Sequence, residues 1–329
     1  MAAKKGVPEN INEEYYQISA EILSSFSKYR PPVDLFFFKE DIAVLAPFSR
    51  KGARLSNEQV EEAAQLCADG KLFVSRSDHH IYSEHIVKQL DLVLQDVNLK
   101  ESEIVEICIQ ALKNRFNEFW QQPVKAAFEP LQNDVLVVTE YLMRDKTNIN
   151  AFMRRLSDEH DPATHAVNSM TVGLWLWIKT VEELQRKDLD NLAIGLITHD
   201  IGMSKLPPYL LSRPGPLKQE ERDKVLLHPL ASAKILQKMD IGANEILEAC
   251  LSHHERLDGS GYPQKLKAGQ IRQAGRIAAV ADSFSAMISK RPWGEAKKPM
   301  DAARELSTDP KYDKSLGRQL VGAYATNKF

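Results

Sequence analysis

Two short strings, T-H-D-I-G at 198–202 and H-H-E-R-L-D-G-S-G-Y-P at 253–263, place adjacent metal-binding side chains at two separated points of the chain. His199 and Asp200 offer an imidazole beside a carboxylate, and His253 and His254 offer two more imidazoles. Mixed nitrogen and oxygen donors of this kind suit iron, manganese or zinc. The strings therefore predict metal-assisted hydrolysis.

Both strings follow apolar helical runs. Residues 192–197 are almost wholly apolar, and His253 and His254 continue a helical stripe that begins at Ile246. A buried charge without compensation is costly, so Asp200 is expected to be paired or to bind a cation. Packing alone does not account for two adjacent histidines that point inward, which favours a metal site inside a helical domain.

Further donors occur on other predicted helices. Asp161 is followed by proline, a good helix opening, and His165 lies on the same face, so the two are either metal ligands or a helix cap and a core histidine. His228 lies on the apolar stripe of a helix predicted over about 218–239, where a lone histidine is usually a core residue. Asp282 interrupts another apolar helix.

The composition is that of a globular protein. The chain has 329 residues, of which 43% are hydrophobic and 27% charged, and its formal charge of −2 gives no support for a nucleic-acid duplex as partner. Its 3 cysteines form no C-x-x-C pair, which fits a reducing compartment. No segment has the ~18 uninterrupted apolar residues of a membrane span. A cytoplasmic protein is expected.

Residues 1–96 are predicted to form a small α+β regulatory domain. Short apolar runs at 33–38 and 42–46 indicate a hairpin, and 72–75 a third strand. Between them, a capping-box pattern that begins at Ser56 predicts a helix. A cluster of histidines in a predicted helix is read as a solvated polar face rather than a metal site; it comprises His79, His80 and His85.

The rest of the chain is predicted to be helical. Residues 97–150 form a helical connector, in which Pro123 and Pro130 break or bend the path, and 151–329 form an all-helical domain. The fold class is therefore mainly α with a small α+β N-terminal domain. We found no internal repeat.

The order H…HD…H…HH-E-x-x-D-G-S-G-Y-P…AD within residues 160–325 resembles the HD-GYP family of HD-domain phosphohydrolases. The resemblance implies an all-helical HD fold and two divalent metal ions, usually iron or manganese. It also implies hydrolysis of the bacterial signalling messenger cyclic di-GMP by a hydroxide that the metals bridge. A protein partner and a homo-oligomer are left open.

Matched residue by residue, the resemblance implies seven metal ligands: His165, His199, Asp200, His228, His253, His254 and Asp282. His199, Asp200 and Asp282 would be catalytic. Asp161 stands where some members have a glutamate for an additional metal, so a third ion is left open. Tyr262 and Arg291 would border the substrate, and Arg291 could clamp a phosphate.

Three positions depart from the family pattern. The family's H-D-x-G-K has Met203 in place of its lysine, A-D-x-F-D-A has Ser285 in place of its second aspartate, and R-P-Y-R or R-P-Y-K ends in Gly294. A lysine and an aspartate beside one metal cleft would form a charge pair, and loss of both leaves no unpaired buried charge. The metal ligands are complete, whereas proton transfer and substrate binding are expected to be weaker.

Two functions follow from this pattern. The first is a metal-dependent phosphodiesterase for cyclic di-GMP or a related cyclic dinucleotide, with weakened activity. The alternative is a catalytically impaired signalling module that binds metal or nucleotide and a protein partner, for which Met203, Ser285 and Gly294 are the evidence.

Overall fold

The computed structural model describes residues 14–40, 42–78, 90–94, 99–211, 215, 217–291, 294–326 and 329. The chain divides into two compact units, residues 1–111 and 112–329. The predicted histidine cluster of the first unit lies outside the described residues, as do Pro292 and Trp293. The finer division into a domain, a connector and a helical domain stays a prediction.

The first unit contains a four-stranded antiparallel sheet. Its strands are β1 (Tyr15–Gln17), β2 (Leu35–Lys39), β3 (Val44–Ser49) and β4 (Leu72–Ser75), arranged in the order β1-β4-β2-β3. The pairing of β2 with β3 is the predicted hairpin, and β4 is the predicted third strand. Strand β1 was not predicted, because three residues are too short to show an alternating pattern.

Short helices accompany the sheet: α1 (Ala20–Ser25), α2 (Asn57–Ala68) and α3 (Leu90–Val93). The predicted capping box begins α2. The Ser56 hydroxyl accepts a hydrogen bond from the Gln59 N–H at 3.2 Å, and the Gln59 side chain accepts one from the Ser56 N–H at 3.0 Å. These bonds satisfy N–H groups that the first turn of a helix leaves unpaired, which is why the helix begins there.

Two long helices follow, α4 (Glu101–Gln121) and α5 (Lys125–Arg144). Pro123 lies in the gap between them, where a missing N–H is tolerated. Helix α5 continues through Pro130, which lies in its second turn.

The described part of the second unit contains helices and no β-strand, and the mainly α fold class is confirmed. After α5 its helices are α6 (Ile149–Met153), α7 (Pro162–Thr180), α8 (Arg186–Thr198), α9 (Pro208–Leu211), α10 (Gln219–Val225), α11 (His228–Gln237), α12 (Asn244–Ser252), α13 (Gln273–Ile288), α14 (Pro299–Thr308) and α15 (Lys314–Thr326). A short 3₁₀ helix, Ile201–Lys205, follows α8.

Four helices form a closed ring around the core of this unit. Helix α7 packs against α8 and α13, and α12 packs against both α8 and α13. Helix α7 is buried on every side from Thr164 to Trp177 apart from His165. A helix that is buried all round belongs in the interior of a domain, so α7 is a core element of this unit.

One predicted helix is divided in two. The apolar stripe over 218–239 indicated a single helix, but α10 ends at Val225 and α11 begins at His228. Pro229 occupies the first turn of α11, where its missing N–H is tolerated, and a proline inside a continuous helix would have removed a backbone hydrogen bond. The break places His228 at the start of a helix.

None of the described helices is both long enough and apolar enough to cross a membrane.

Candidate metal centre

The predicted metal ligands lie at or next to helix ends, except for one in the middle of a helix. His199 and His253 directly follow the last residues of α8 and α12, and His165 lies in the first turn of α7. His228 is the first residue of α11, and Asp282 lies in the middle of α13. Because each ligand sits on or beside a packed helix, the positions of the donor atoms are set by the core.

The seven side chains gather into two groups, in each of which the ligand atoms lie within 4.8 Å of one another. The first group is Asp200, His228, His253 and His254, and the second is His165, His199 and Asp282. Each group contains at least one carboxylate and two imidazoles, a donor set that suits a divalent transition metal.

Asp200 lies between the two groups. Its Oδ1 atom is 3.1 Å from His228 Nε2 and 3.4 Å from His253 Nε2, both in the first group. Its Oδ2 atom is 3.7 Å from His165 Nε2 and 3.5 Å from His199 Nε2, both in the second group. One carboxylate therefore offers one oxygen to each group.

Asp282 makes a similar link from the opposite helix. Its Oδ1 atom is 3.1 Å from His165 Nε2 and 3.8 Å from His199 Nε2, while its Oδ2 atom is 3.6 Å from His254 Nδ1. His254 belongs to the first group, so Asp282 also contacts both groups. The two groups form one centre.

Backbone carbonyls fix the orientation of three of the rings. The Nδ1 atoms of His199, His228 and His253 lie 2.6, 2.7 and 3.1 Å from the carbonyl oxygens of Leu196, Val225 and Ala249. A carbonyl oxygen only accepts, so each Nδ1 carries a hydrogen and each ring presents its Nε2 atom to the centre. Hydrogen bonds of this kind hold metal-ligating histidines in position.

The donors fit a cation for a second reason. His228 Nε2 and His253 Nε2 are 3.0 Å apart, and both lie within 3.4 Å of Asp200 Oδ1, so three possible ligand atoms converge on one point. His199 Nε2 and Asp200 Oδ1 are buried without a hydrogen-bond partner among the described residues. Buried polar atoms are normally paired, so these atoms fit the ligands of a cation better than a packed polar core.

The charges of the centre shift its titration strongly. Burial lowers the pKa of His199, but the carboxylates of Asp200 and Asp282 outweigh that effect and raise it to about 9. Burial raises the pKa of both carboxyl groups, but the neighbouring histidines hold each well below its usual range. At neutral pH and without bound metal, the raised pKa of His199 means that its ring carries a second proton, on Nε2.

Metal binding is expected to release that proton. The lone pair of His199 Nε2 binds metal only after deprotonation, so Mn²⁺ binding at pH 7 should release at least about one proton, and affinity should rise with pH up to about 9. Calorimetry of Mn²⁺ binding in two buffers of different ionisation enthalpy measures this release. Equal heats in the two buffers would contradict the prediction, and His199→Gln should reduce the difference.

The two predicted substrate residues, Tyr262 and Arg291, have different relations to the centre: the first contacts a predicted ligand, and the second lies beyond the end of α13. The Tyr262 ring stacks on His254, with ring centres 4.6 Å apart and an interplanar angle of 27°, and the Tyr262 N–H donates to the His254 carbonyl oxygen at 3.3 Å. Arg291 forms an isolated β-bridge with Gly294, just beyond the end of α13. Burial lowers the pKa of His160, and the positive charge of Arg291 lowers it further.

Asp161 has a structural role. Its carboxylate accepts a hydrogen bond from the Thr164 N–H at 2.9 Å and caps α7. Neither donor group of the described residues includes it. The cap is the alternative that the sequence left open for this residue, and a third metal ion there stays a prediction.

Three residues near the centre were not predicted. His160 is close enough to His165 and Arg291 for both to affect its pKa, and its place beside Asp161 was the only signal in the sequence. Glu255 and Arg256 directly follow the ligand pair His253 and His254. Both belong to the string at 253–263, but their spacing is also that of charged residues at the solvated end of a helix.

Two departures from the family pattern lie on elements next to or containing predicted ligands. Met203 is partly buried in the 3₁₀ helix that follows Asp200. Ser285 is 0% exposed on α13, and its hydroxyl has no hydrogen-bond partner among the described residues. The family pattern has an aspartate at this position, and its carboxylate would need a partner such as the family's lysine. Here the position holds a buried serine whose hydroxyl is unpaired among the described residues.

Comparison with known families and relatives agrees with this geometry. Residues 151–316 match the family described as HD domain. The chain is 36% identical over 163 residues to a cyclic di-GMP phosphodiesterase of Thermotoga maritima, which covers 47% of this chain and 43% of that protein. It is 40% identical over 97 residues to the 3′3′-cGAMP-specific phosphodiesterase 1 of Vibrio cholerae, which covers 30% of this chain and 22% of that protein. The chain thus spans less than half the length of these relatives.

A solved structure has a similar fold. Bd1817, an HDG"Y"P protein from Bdellovibrio bacteriovorus, superposes with a TM-score of 0.63 at 16% identity, and the match covers 95% of this chain and 100% of that one. At this identity the likeness concerns the fold alone. The residues that match the family, 151–316, include every member of the two donor groups.

Proposed function

Since this chain belongs to the HD domain family, we propose that it is a metal-dependent phosphodiesterase that hydrolyses a cyclic dinucleotide, with cyclic di-GMP as the first candidate. The observation that carries the proposal is the pair of donor groups joined by Asp200. Relatives named for cyclic di-GMP and for 3′3′-cGAMP support the substrate class.

The two groups would hold two divalent ions, with iron or manganese favoured by the mixed imidazole and carboxylate donors. Metal ions held by these residues would supply Lewis-acid chemistry, activating a water for attack and neutralising phosphoryl charge. Asp200 and Asp282 keep the two groups together, and the hydrogen bonds to backbone carbonyls hold three histidine rings in register. His199, Asp200 and Asp282 are thus the residues we assign to catalysis.

The remaining proposed contacts concern the substrate. Tyr262 covers one side of His254, and Arg291 offers a guanidinium for a phosphate. The leaving oxygen has neither a lysine at position 203 nor an aspartate at position 285 to assist it. General acid–base assistance is commonly worth ~10²–10⁴-fold in rate, so slow turnover is expected.

The test is direct. The chain is purified with iron or manganese under reducing conditions, its bound metal is measured, and cyclic di-GMP and 3′3′-cGAMP are each followed to linear product. Stoichiometric metal with slow cleavage of either substrate supports the proposal, and the faster of the two identifies the substrate. Stoichiometric metal with no cleavage of either substrate rules out the proposed enzymatic function. It favours the alternative, an impaired module that binds metal or nucleotide and a protein partner. Met203, Ser285 and Gly294 are the observations behind that alternative.

Restoring the family's charge pair is expected to raise activity. Ser285→Asp alone places a carboxylate at a buried position and should lower the melting temperature, whereas adding Met203→Lys supplies a partner and should recover stability. The double variant should turn over faster by up to ~10²-fold, the lower end of the range for proton-transfer assistance. Thermal unfolding and initial rates of both single variants and the double variant check this. A double variant no faster than the unsubstituted chain would contradict the charge-pair argument.

A further inference from the structure

Glu255 follows the ligand pair His253 and His254 but belongs to neither donor group. It is 1% exposed, and its side chain turns away from the centre. Oε1 accepts a hydrogen bond from the Gln264 N–H at 2.7 Å, and Oε2 accepts one from the Leu266 N–H at 2.9 Å. The buried carboxylate therefore binds the backbone of a loop rather than a metal.

The loop is shaped to receive an anion. Lys265, between the two donors, has a φ of 56°, the left-handed conformation. Backbone N–H groups around such a residue can converge on one negative charge, as they do at many anion sites. Gln264 and Lys265 are exposed to solvent, so apolar burial contributes little at this end of the loop. The carboxylate of Glu255 is the polar anchor there.

The same loop carries Tyr262. A side-chain carbon at Gly261 would lie 2.4 Å from the Arg256 nitrogen and 2.5 Å from the Glu255 Cα, so the loop backbone rests directly on the segment that bears the ligands. The Tyr262 N–H then reaches the His254 carbonyl oxygen, and its ring stacks on the His254 ring. Tyr262 is thus held between the contact at Gly261 and the anchor at Glu255.

We propose that Glu255 is a positioning residue, which holds the loop of residues 258–266 so that Tyr262 covers His254 on the substrate side of the centre. The effect on substrate binding rests on the proposed function, whereas the effect on the loop does not. Glu255 would act through Tyr262, since its carboxylate is bonded to the loop backbone and belongs to neither donor group.

The first measurement is amide hydrogen exchange at single-residue resolution in the metal-free chain. In Glu255→Gln the size is kept, but the new NH₂ group faces a backbone N–H, so one hydrogen bond is lost. The informative amide is that of Tyr262, which is bonded to His254 and not to Glu255. We expect its exchange to be faster by about tenfold or more, as for loss of one hydrogen bond to a charged group. Unchanged protection of Tyr262 would overturn the inference.

The second measurement separates positioning from general damage. Glu255→Gln should raise KM about tenfold and leave kcat and metal content within about twofold. In a chain that already carries Tyr262→Ala, Glu255→Gln should raise KM no further, because its effect passes through the tyrosine. A full additional effect in that background would overturn the inference.

The matched control is Glu248→Gln, on α12, whose partly buried carboxylate pairs with Arg272 at 3.2 Å and does not contact the loop. It should leave Tyr262 exchange and KM unchanged. If Glu255→Gln does not fold, Glu255→Asp keeps the charge but cannot reach both amides, and the same exchange criterion applies. If the chain shows no turnover, the proposed function is ruled out. The hydrogen exchange rate of the Tyr262 amide still decides whether Glu255 positions the loop.

Discussion

Asp200→Asn is expected to remove most of the bound metal and to lower phosphodiesterase turnover by roughly 10³-fold or more. Each carboxylate oxygen of Asp200 faces a different donor group, so the loss of its charge weakens both at once. Outer-shell partners of metal ligands alone are worth about 10–100-fold in metal affinity, and a ligand shared by two ions should cost more. The amide also leaves a nitrogen that cannot accept a hydrogen bond or bind a cation.

Metal analysis after gel filtration and initial rates at saturating Mn²⁺ measure the two effects. Asp301→Asn is the matched control, because Asp301 is exposed on α14 and its long ion pair with Arg304, at 3.9 Å, should contribute little to stability. Full metal content in Asp200→Asn would show that the carboxylate does not join the groups.

Gly202→Ala is expected to destabilise the second unit and to disturb the centre without changing any ligand. A side-chain carbon at position 202 would lie 2.3 Å from the His228 carbonyl oxygen and 2.7 Å from the Ser232 nitrogen. Both atoms belong to the backbone of α11, which cannot move aside as a flexible side chain could. The Gly202 N–H also donates to the Ser232 hydroxyl at 2.8 Å. The 3₁₀ helix after Asp200 and helix α11 therefore have to separate.

The cost is about 1–3 kcal/mol in the free energy of unfolding, which corresponds to a Tm lower by roughly 2–12 °C. Because His228 lies at the displaced segment, metal affinity should fall as well. Gly322→Ala on α15 is the control, since an added carbon there meets nothing within 4 Å and alanine favours a helix. Thermal unfolding with and without Mn²⁺ tests both variants, and an unchanged Tm in Gly202→Ala would contradict the close approach.

Much of the fold followed from local signals. The capping box at Ser56 and the Asp161-Pro162 opening fix where α2 and α7 begin, because a helix start depends on a few neighbouring residues. The break before His228 was missed, since the apolar stripe continues across it and the proline that favours the break follows the histidine. Strand β1 depends on pairing with β4, more than fifty residues away, and its three residues give no pattern of their own.

The centre was predictable as a set of donors but not as an arrangement. Adjacent His199 and Asp200 predict a metal site, and the order of motifs predicts the other members of the two donor groups. That Asp200 faces both donor groups depends on how four helices pack, which no local spacing reports. The anchoring role of Glu255 was hidden for the same reason, because its partners are backbone amides nine and eleven residues away that carry no sequence signal.

The carbonyl groups that hold the ligand histidines have a kinetic consequence. Leu196, Val225 and Ala249 lie in the last turns of α8, α10 and α12, where a helix has carbonyls without partners of its own. Each histidine ring satisfies one of them, so a ring that swings away from an ion also uncaps a helix. Under the proposed function, we therefore expect metal release to be coupled to fraying of these helix ends, and slower fraying to lengthen the residence time of the ions.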